Sequence, residues 1–148
     1  MIGENMNDCE FCRVIEKEDS SESKYFVGPI IKLSSSIAVL SKNQFYKGKF
    51  VVIFKKHVED FADLSEGERK EFTNDMIKIA HAIKKILNPD RMNYATLGNI
   101  IPHLHWHVIP RYKNNPNWGK PPWPHGENYL SDEEVKKLVN SIKKVLIE

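Results

Sequence analysis

Three histidines alternate with apolar residues in one short stretch of the chain. His103, His105 and His107 are separated by Leu104 and Trp106. Because a β-strand turns successive side chains to opposite faces, the three imidazoles are expected to share one face of a strand. A core-facing row would instead favour Val or Ile, and buried polar rows without partners are rare. The pattern therefore indicates chemistry, since imidazoles bind metals, accept protons or attack phosphorus.

Two kinds of site fit this histidine row. Three imidazoles can hold a catalytic zinc ion that keeps one coordination position open for water. Alternatively, one histidine can act as a nucleophile toward a phosphate group while its neighbours act as ligands or hydrogen-bond donors. The alternation alone is compatible with both kinds of site.

A pair of cysteines near the amino terminus, Cys9 and Cys12, has the Cys-x-x-Cys spacing. This spacing occurs in redox pairs, in disulfides and in zinc half-sites. No strand pattern precedes Cys9, which argues against a thioredoxin-like redox pair, and a reducing cytoplasm disfavours a structural disulfide. A zinc half-site needs two further ligands, for which His57 and His103 are available.

Runs of β-branched and aromatic residues predict the strands that must carry these groups. The clearest is the buried run Phe50–Phe54, and the histidine row itself predicts a strand over 103–109, with Pro102 at its start. A short helix followed by a loop is expected over 13–23. Further strands are predicted at 25–27, where Gly28-Pro29 would close the strand, at 37–40 and at 92–97.

Two helices carry strong start signals. Ser65 and Glu68 have the spacing of a capping box, and Asn88-Pro89 predicts the end of the same helix. A second capping box, at Ser131 and Glu134, begins a carboxy-terminal helix. Because strands and helices do not alternate strictly, we expect an α+β fold: an antiparallel sheet with a long packed helix and a C-terminal helix. The long helix should pack through an apolar face made of Phe72, Met76, Ile79, Ile83 and Ile86.

The composition fits one domain over residues 1–148. A net charge of +2 gives no signal for nucleic acid or an anionic membrane, and no apolar run reaches the roughly 18 residues of a membrane helix. The amino terminus lacks a signal-peptide pattern, so we expect a cytoplasmic protein. Residues 1–8 are expected to be loose. Residues 114–126 predict a Pro-rich loop, whose Trp118 and Trp123 would cover the sheet, close over a ligand or contact a second subunit.

The run from His103 to Ile109 matches the pattern His-φ-His-φ-His-φ-φ, where φ is apolar. In this it resembles the histidine triad (HIT) family. Three flanking segments are similar to the family as well: Cys9-Glu10-Phe11-Cys12, the run from Val51 to His57, and Gly98-Asn99 before the triad. The resemblance covers most of the chain from Cys9 onward. It implies the HIT fold, nucleotide binding and assembly as a homodimer.

The resemblance also assigns roles to individual residues. His105, the middle histidine, would attack the α-phosphate of a nucleotide ester, anhydride or amidate and carry the nucleotidyl group. His107 would contact the phosphate, and Asn99 and the backbone near Gly98 would donate to its oxygens. Asn93 is a weaker match to a further phosphate contact in the family.

Members of the family with the amino-terminal cysteine pair form a structural zinc site from two cysteines and two histidines. The corresponding ligands here would be Cys9, Cys12, His57 and His103. His105 and His107 would then remain free for catalysis, and no catalytic metal would be required.

The chain departs from the family at two positions. Ser41 stands where members commonly have an Asp that holds the ribose hydroxyls, and Gly48-Lys49 stands where Gly-His is common. The predicted function is a nucleotide hydrolase that cleaves at the α-phosphate of dinucleoside polyphosphates or nucleoside phosphoramidates, with an adenine-containing substrate. Two alternatives remain open: a nucleotidyltransferase with an acceptor other than water, and a zinc-stabilised nucleotide-binding module.

Overall fold

A computed structural model describes residues 8–148. Its centre is a five-stranded antiparallel sheet with the strand order β1-β2-β3-β5-β4. The strands are β1 (Phe26–Lys32), β2 (Ser36–Ser41), β3 (Phe50–Phe54), β4 (Arg91–Ala95) and β5 (His105–Arg111). Three α-helices accompany them: α1 (Glu10–Lys17), α2 (Glu66–Leu87) and α3 (Asp132–Ile147). The predicted α+β class is confirmed. The loose segment expected at the amino terminus lies outside the described residues, except for the exposed Asp8.

The central strands are buried on both faces, and each face has its own apolar cluster. One face of β2 and β3, with Leu40, Phe50 and Val52, packs against α2 and α3. Leu104, Trp106 and Val108 belong to this cluster, as the alternation on the triad strand predicts. The opposite face, with Val51 and Ile53, packs against the segment around α1. The triad strand therefore presents its histidines to the side that the amino-terminal segment covers.

Helix α2 begins and ends where the sequence indicates. Both halves of the capping box at Ser65 and Glu68 are formed. The helix ends at Asn88, which adopts the left-handed conformation and donates its N–H to the carbonyl of Lys84. Inside the helix, the fully buried carboxylate of Asp75 accepts hydrogen bonds from the backbone N–H and the hydroxyl of Ser35 and from the hydroxyl of Ser36. These bonds fix the helix to the turn between β1 and β2.

Strand β1 differs from its prediction. Gly28-Pro29 does not close a strand over 25–27, because the chain continues in β1 as far as Lys32. The pairing with β2 is irregular between Val27 and Ile31, so a bulge accommodates Gly28 and Pro29 within the strand. Gly28 has φ +83°, and a Cβ there would lie 2.5 Å from a methyl carbon of Val135 on α3. The glycine is therefore needed for close packing of a helix on the strand rather than for a turn.

Strand β5 begins two residues later than expected and ends two residues later. His103 precedes the strand, and Pro110 lies within it. Strand β3 begins at Phe50, opposite Val108, so Pro110 has a paired neighbour only on β4. A proline is tolerated there because no residue of β3 pairs with it, so its missing N–H leaves no β3 carbonyl without a partner. Among the described helices, none has the length and apolar character needed to cross a membrane.

Candidate functional site

A cavity of about 890 Å³ opens beside the histidine row. His105 and His107 form part of its lining, together with residues from the end of β2, the start of β3 and the segment that precedes the triad. Three lysines, Lys24, Lys42 and Lys49, also line it, whereas none of its described lining residues is a carboxylate. The cavity therefore has the electrostatic character of a site for an anion.

His105 is held in one orientation by the backbone. It is buried on β5 opposite Ile53, and its Nδ1 lies 2.6 Å from the carbonyl oxygen of His103. A carbonyl can only accept, so Nδ1 carries the proton and donates it, and the lone pair is on Nε2. Burial lowers the pKa of His105 below its ordinary value, and the nearby Lys49 contributes in the same direction. The side chain is therefore a neutral imidazole with one defined nucleophilic nitrogen.

His107 lies one step further along the same face, opposite Val51 of β3. Its ring centroid is 4.9 Å from that of His105 and 4.9 Å from that of Trp123, which belongs to the Pro-rich loop. Burial, together with the charges of His105 and Lys49, lowers the pKa of His107 to about 3. Its Nδ1 has no hydrogen-bond partner among residues 8–148. The side chain of His107 lines the cavity, so a ligand there can reach its ring.

The remaining residues expected in the substrate site fall into two groups. Ser41, Gly98 and Asn99 all line the cavity, with Gly98 in the left-handed region at φ +72°. Asn93 lies on β4, and its side-chain oxygen accepts a 2.7 Å hydrogen bond from Arg111. As described over residues 8–148, the cavity lining does not include Asn93.

Arg111 connects the sheet to the Pro-rich loop. Its guanidinium is buried and donates to the carbonyl oxygens of Asn117 and Lys120, at 2.9 and 3.0 Å, as well as to Asn93. The same group stacks on the ring of Tyr46, 5.1 Å from its centroid. The loop that carries Trp123 is therefore attached to the end of the triad strand by several hydrogen bonds from one side chain.

At the other end of the row, His103 belongs to a second cluster of polar atoms. One donor atom from each of Cys9, Cys12, His57 and His103 lies within 4.8 Å of the others. Nδ1 of His103 is 3.5 Å from Cys9 Sγ and 3.4 Å from Cys12 Sγ, and Nδ1 of His57 is 3.2 Å from Cys12 Sγ. A tetrahedral zinc ion bound at about 2.0 Å by nitrogen and about 2.3 Å by sulfur separates its ligands by about 3.3–3.8 Å. The three distances between nitrogen and sulfur given above are close to these values.

The surroundings of the cluster also fit a metal. Nε2 of His103 lies 2.7 Å from the carbonyl oxygen of Phe54, so it donates there and leaves Nδ1 unprotonated toward the cysteines. Burial lowers the pKa of His103 to about 4, which keeps its imidazole neutral. Burial and the adjacent Cys9 raise the pKa of Cys12 to about 12, so two neighbouring thiolates would need a cation between them. The four residues therefore fit a closed structural zinc site.

The model of the HIT domain matches residues 28–114 of this chain. The chain belongs to the HIT family. Its sequence is 28% identical over 143 residues to "Protein hit" of Bacillus subtilis, and the match covers 93% of this chain and 94% of that protein. It is 26% identical over 148 residues to the adenylylsulfatase HINT3 of Arabidopsis thaliana, with 95% of this chain and 70% of that protein covered.

Solved structures of HIT proteins share the fold. A histidine triad protein from Bradyrhizobium japonicum superposes with a TM-score of 0.77 at 22% identity, covering 83% of this chain and 92% of that one. A zinc-bound histidine triad family protein from Mycobacterium smegmatis superposes with a TM-score of 0.66 at 21% identity, covering 97% and 96%. The five-stranded antiparallel sheet of this chain is thus the HIT fold. The cysteine and histidine cluster is compatible with structural zinc.

Several residues that line the HIT site here were not expected from the sequence. Lys49 is buried in the cavity wall, and the face of the Trp123 ring lies 5.1 Å from its ammonium nitrogen. His125 also lines the cavity and stacks on Phe45, with ring centroids 5.3 Å apart. A signal for Lys49 was present, because Lys49, Val51 and Ile53 share the parity of one strand face. The contacts of Trp123 and His125 join distant parts of the chain and leave no local pattern.

Proposed function

We propose that this HIT protein is a nucleotide hydrolase that cleaves at the α-phosphate through a nucleotidyl-histidine intermediate on His105. The observation that carries the proposal is the hydrogen bond from Nδ1 of His105 to the carbonyl of His103. It leaves Nε2 with its lone pair, on a side chain that lines an anion-accepting cavity. The chemistry of the first step then follows from the chain's own groups.

In that step, Nε2 of His105 attacks the α-phosphorus in line with the leaving group. A nitrogen–phosphorus bond forms, the bond from phosphorus to the leaving atom breaks, and its electron pair goes to the leaving atom. Negative charge on the phosphate oxygens is stabilised by donors already aimed there. Asn99, Gly98 and His107 all line the cavity. In the proposed reaction, Asn99 and the backbone near Gly98 would donate to these oxygens, and His107 would contact the same phosphate.

In the second step, water attacks the same phosphorus and displaces Nε2 of His105. The bond from phosphorus to Nε2 breaks, its electron pair returns to Nε2, and the attacking water loses one proton to solvent. The products are a nucleoside monophosphate and the restored neutral imidazole, so no oxidant or reductant is required. Nδ1 of His105 keeps its proton throughout, because the carbonyl of His103 holds it. The nucleophile is supplied by the chain, so these steps do not need a catalytic metal.

The shape and charge of the cavity support a nucleotide as the substrate. Its lysines attract phosphates, and the aromatic and apolar wall formed by Phe11, Phe26 and Ile101 offers a surface for a purine base such as adenine. Ser41, at the end of β2, lines the cavity and would hydrogen-bond a ribose hydroxyl. Dinucleoside polyphosphates and nucleoside phosphoramidates both present an α-phosphate with a leaving group of this kind.

We further propose that the cluster of Cys9, Cys12, His57 and His103 binds zinc as a structural ion. A zinc ion there would attach the α1 segment to the residue that precedes the triad strand. The carbonyl of His103 orients His105, so the metal site would hold the nucleophile's support in place. His105 and His107 remain outside the ligand set.

A homodimer in the cytoplasm is the assembly and location that we propose. Strand β4 is at the edge of the sheet, and Tyr94 on it is 45% exposed. The exposed apolar residues Leu97 and Ile100 follow directly, so a second copy can cover this edge. Cys9 and Cys12 are not joined by a disulfide, as a reducing compartment would keep them. Sedimentation velocity would reveal the dimer.

Intact-protein mass spectrometry tests the central step. Wild-type protein would be mixed with diadenosine tetraphosphate or, separately, an adenosine phosphoramidate, and quenched without acid after a short time. We expect the mass to increase by one adenylyl group in the wild type and in the His81→Ala control, whose histidine is exposed on α2. His105→Ala should show no adduct while it still binds adenosine monophosphate. An adduct on His105→Ala, or turnover without any adduct in the wild type, would refute the proposed intermediate.

The same experiment separates hydrolysis from nucleotidyl transfer. The cavity is large enough to admit a phosphate acceptor beside the nucleotide, which is why the transferase remains a second candidate. Product analysis with and without added inorganic phosphate distinguishes them. A hydrolase gives adenosine monophosphate in both cases, whereas a transferase gives a new anhydride only when phosphate is present.

A further inference from the structure

Lys49 is a buried cation that has no anionic partner among residues 8–148. Its side chain is 8% exposed, and its ammonium makes no hydrogen bond or ion pair with any described residue. The face of the Trp123 ring lies 5.1 Å away, and the charge of Lys49 also acts on His105 and His107. A buried ammonium beside an aromatic face and neutral imidazoles is costly, because water has been removed and no described carboxylate replaces it. Such a group is stabilised when an anionic ligand enters the cavity that it lines.

The position of Lys49 defines which part of a ligand it can reach. Ile53 lies opposite His105 and Val51 lies opposite His107, and Lys49 is the next residue on the same face of the sheet. The row therefore runs from the nucleophile, through His107, to Lys49. Lys49 is on the far side of His107 from His105, and Trp123 touches both His107 and Lys49.

We propose that Lys49 and Trp123 form a subsite for an anionic leaving group, namely the phosphate attached to the α-phosphate of the substrate. This inference rests on the proposed function, because the leaving group is defined by attack from His105. It deepens that function by selecting a substrate class: compounds whose leaving group is a phosphate or a comparable oxyanion, in preference to those that release a neutral amine.

The preference follows from where the electron pair goes. When the α-phosphorus separates from a bridging oxygen, the pair remains on that oxygen and increases the negative charge of the departing phosphate. The ammonium of Lys49 stabilises this charge without transferring a proton. When the α-phosphorus separates from an amine, the pair remains on nitrogen, which binds a proton from solvent, so the amine departs without negative charge. Lys49 therefore assists the first class of substrate and gives little help to the second.

The charge state of Lys49 agrees with this role. Burial lowers its pKa to about 8, so the side chain is still mostly protonated near neutral pH. The groups that face it are His105 and His107 from β5 and the Trp123 ring from the loop, and burial keeps both imidazoles neutral. A bound phosphate would raise the pKa of Lys49 and fix the cation.

Leaving-group selectivity provides the test. The kcat/KM values for diadenosine tetraphosphate and for an adenosine phosphoramidate would be measured with wild type, Lys49→Met, Lys49→Arg and Lys78→Met. Lys78 is an exposed lysine of α2 and serves as the matched control. In Lys49→Met, the kcat/KM for the tetraphosphate divided by that for the phosphoramidate should fall about tenfold or more, because a charge-assisted contact is lost. Lys49→Arg should recover part of the ratio, and Lys78→Met should match the wild type.

An equal loss toward both substrates in Lys49→Met, or an unchanged ratio, would overturn the subsite. Titration calorimetry with inorganic pyrophosphate makes the test independent of turnover, and Lys49→Met should bind it about tenfold more weakly than wild type. If the wild type neither turns over nor forms an adduct, while pyrophosphate binding still depends on Lys49, the proposed function fails and the anion subsite stands. If adducts form on the wild type, but Lys49→Met changes neither pyrophosphate binding nor the ratio of the kcat/KM values, the function stands and the subsite fails.

Discussion

The two ends of the histidine row use the same residue type in opposite ways. At one end, both ring nitrogens of His103 have partners within the chain: Nε2 has the carbonyl of Phe54, and Nδ1 has the two cysteines. At the other end, Nδ1 of His107 and the ammonium of Lys49 have no hydrogen-bond partner in the described part of the chain. Polar atoms that contact one another stabilise the fold, whereas polar side chains that line a cavity are available to a ligand. His105 lies between the two ends, oriented by the first and facing the second.

Removal of one ligand of the proposed zinc site, at the His103 end of the row, should produce the largest effect on stability. We expect Cys9→Ala to lower the free energy of unfolding by about 3–5 kcal/mol, because a structural metal site contributes directly to folding. The rate of adduct formation on His105 at low temperature should fall much less. Thermal unfolding, with zinc content measured on the same samples, checks this.

Chelation gives a control that leaves the sequence intact. A strong chelator should lower the melting temperature of the wild type and leave that of Cys9→Ala unchanged. An equal melting temperature for the two proteins, together with no bound zinc in the wild type, would contradict a structural metal at this end.

At the other end of the row, beside His107, the buried ammonium of Lys49 should make the stability of the protein depend on pH. Its pKa is about 8 in the folded protein against an ordinary value of 10.5, so the unfolded chain binds more protons between these values. Stability therefore rises with pH over this range, because the cost of burying the charge is present below about pH 8 and disappears as the lysine loses its proton. At about 1.4 kcal/mol per pKa unit, the gain amounts to about 3 kcal/mol.

Lys49→Met isolates this contribution from all other titrations. Chemical denaturation of both proteins from neutral pH to about pH 10.5 gives the difference in unfolding free energy. Lys49→Met should be the more stable protein at neutral pH, and the advantage should vanish toward high pH. A difference that stays constant with pH would show that Lys49 is not buried as a cation.

The smallest effect is expected at Ser41, the residue proposed to hydrogen-bond a ribose hydroxyl. Ser41→Ala removes one neutral hydroxyl from the cavity wall. We expect KM for diadenosine tetraphosphate to rise by about fivefold, since one neutral hydrogen bond contributes about 1 kcal/mol. The companion measurement uses a substrate with 2′-deoxyribose, for which wild type and Ser41→Ala should have the same KM. If the KM values of the two proteins still differ with the 2′-deoxy substrate, Ser41 does not contact the 2′-hydroxyl of the ribose.

Local patterns predicted much of the fold and the middle of the site. The alternation around His105 predicted the strand and the face that the histidines share, and the capping box at Ser65 predicted the start of α2. These signals lie within a few residues of each other, where backbone geometry alone sets which side chains share a face. His103 shows the limit of such reasoning. It precedes the strand, and its orientation depends on Cys9, 94 positions away.

Two other features were beyond prediction for similar reasons. Gly28-Pro29 resembles a turn, yet the bulge and the contact with Val135 on α3 keep it within a strand. The pairing of Lys49 with Trp123 joins the start of β3 to a loop without regular structure. A tertiary contact between a strand and an irregular loop has no sequence period, so the parity of Lys49 with Val51 and Ile53 indicates its face, and the packed structure is needed to show its contact with Trp123.

The anchoring of the Pro-rich loop by Arg111 has a consequence for the kinetics of binding. The guanidinium holds the loop through the carbonyls of Asn117 and Lys120 before any ligand arrives. The entropy of ordering this segment is therefore lost during folding rather than during association. A ligand that enters the cavity meets Trp123 already in position, so differences in affinity among related ligands should lie in their dissociation rates, with association rates nearly constant.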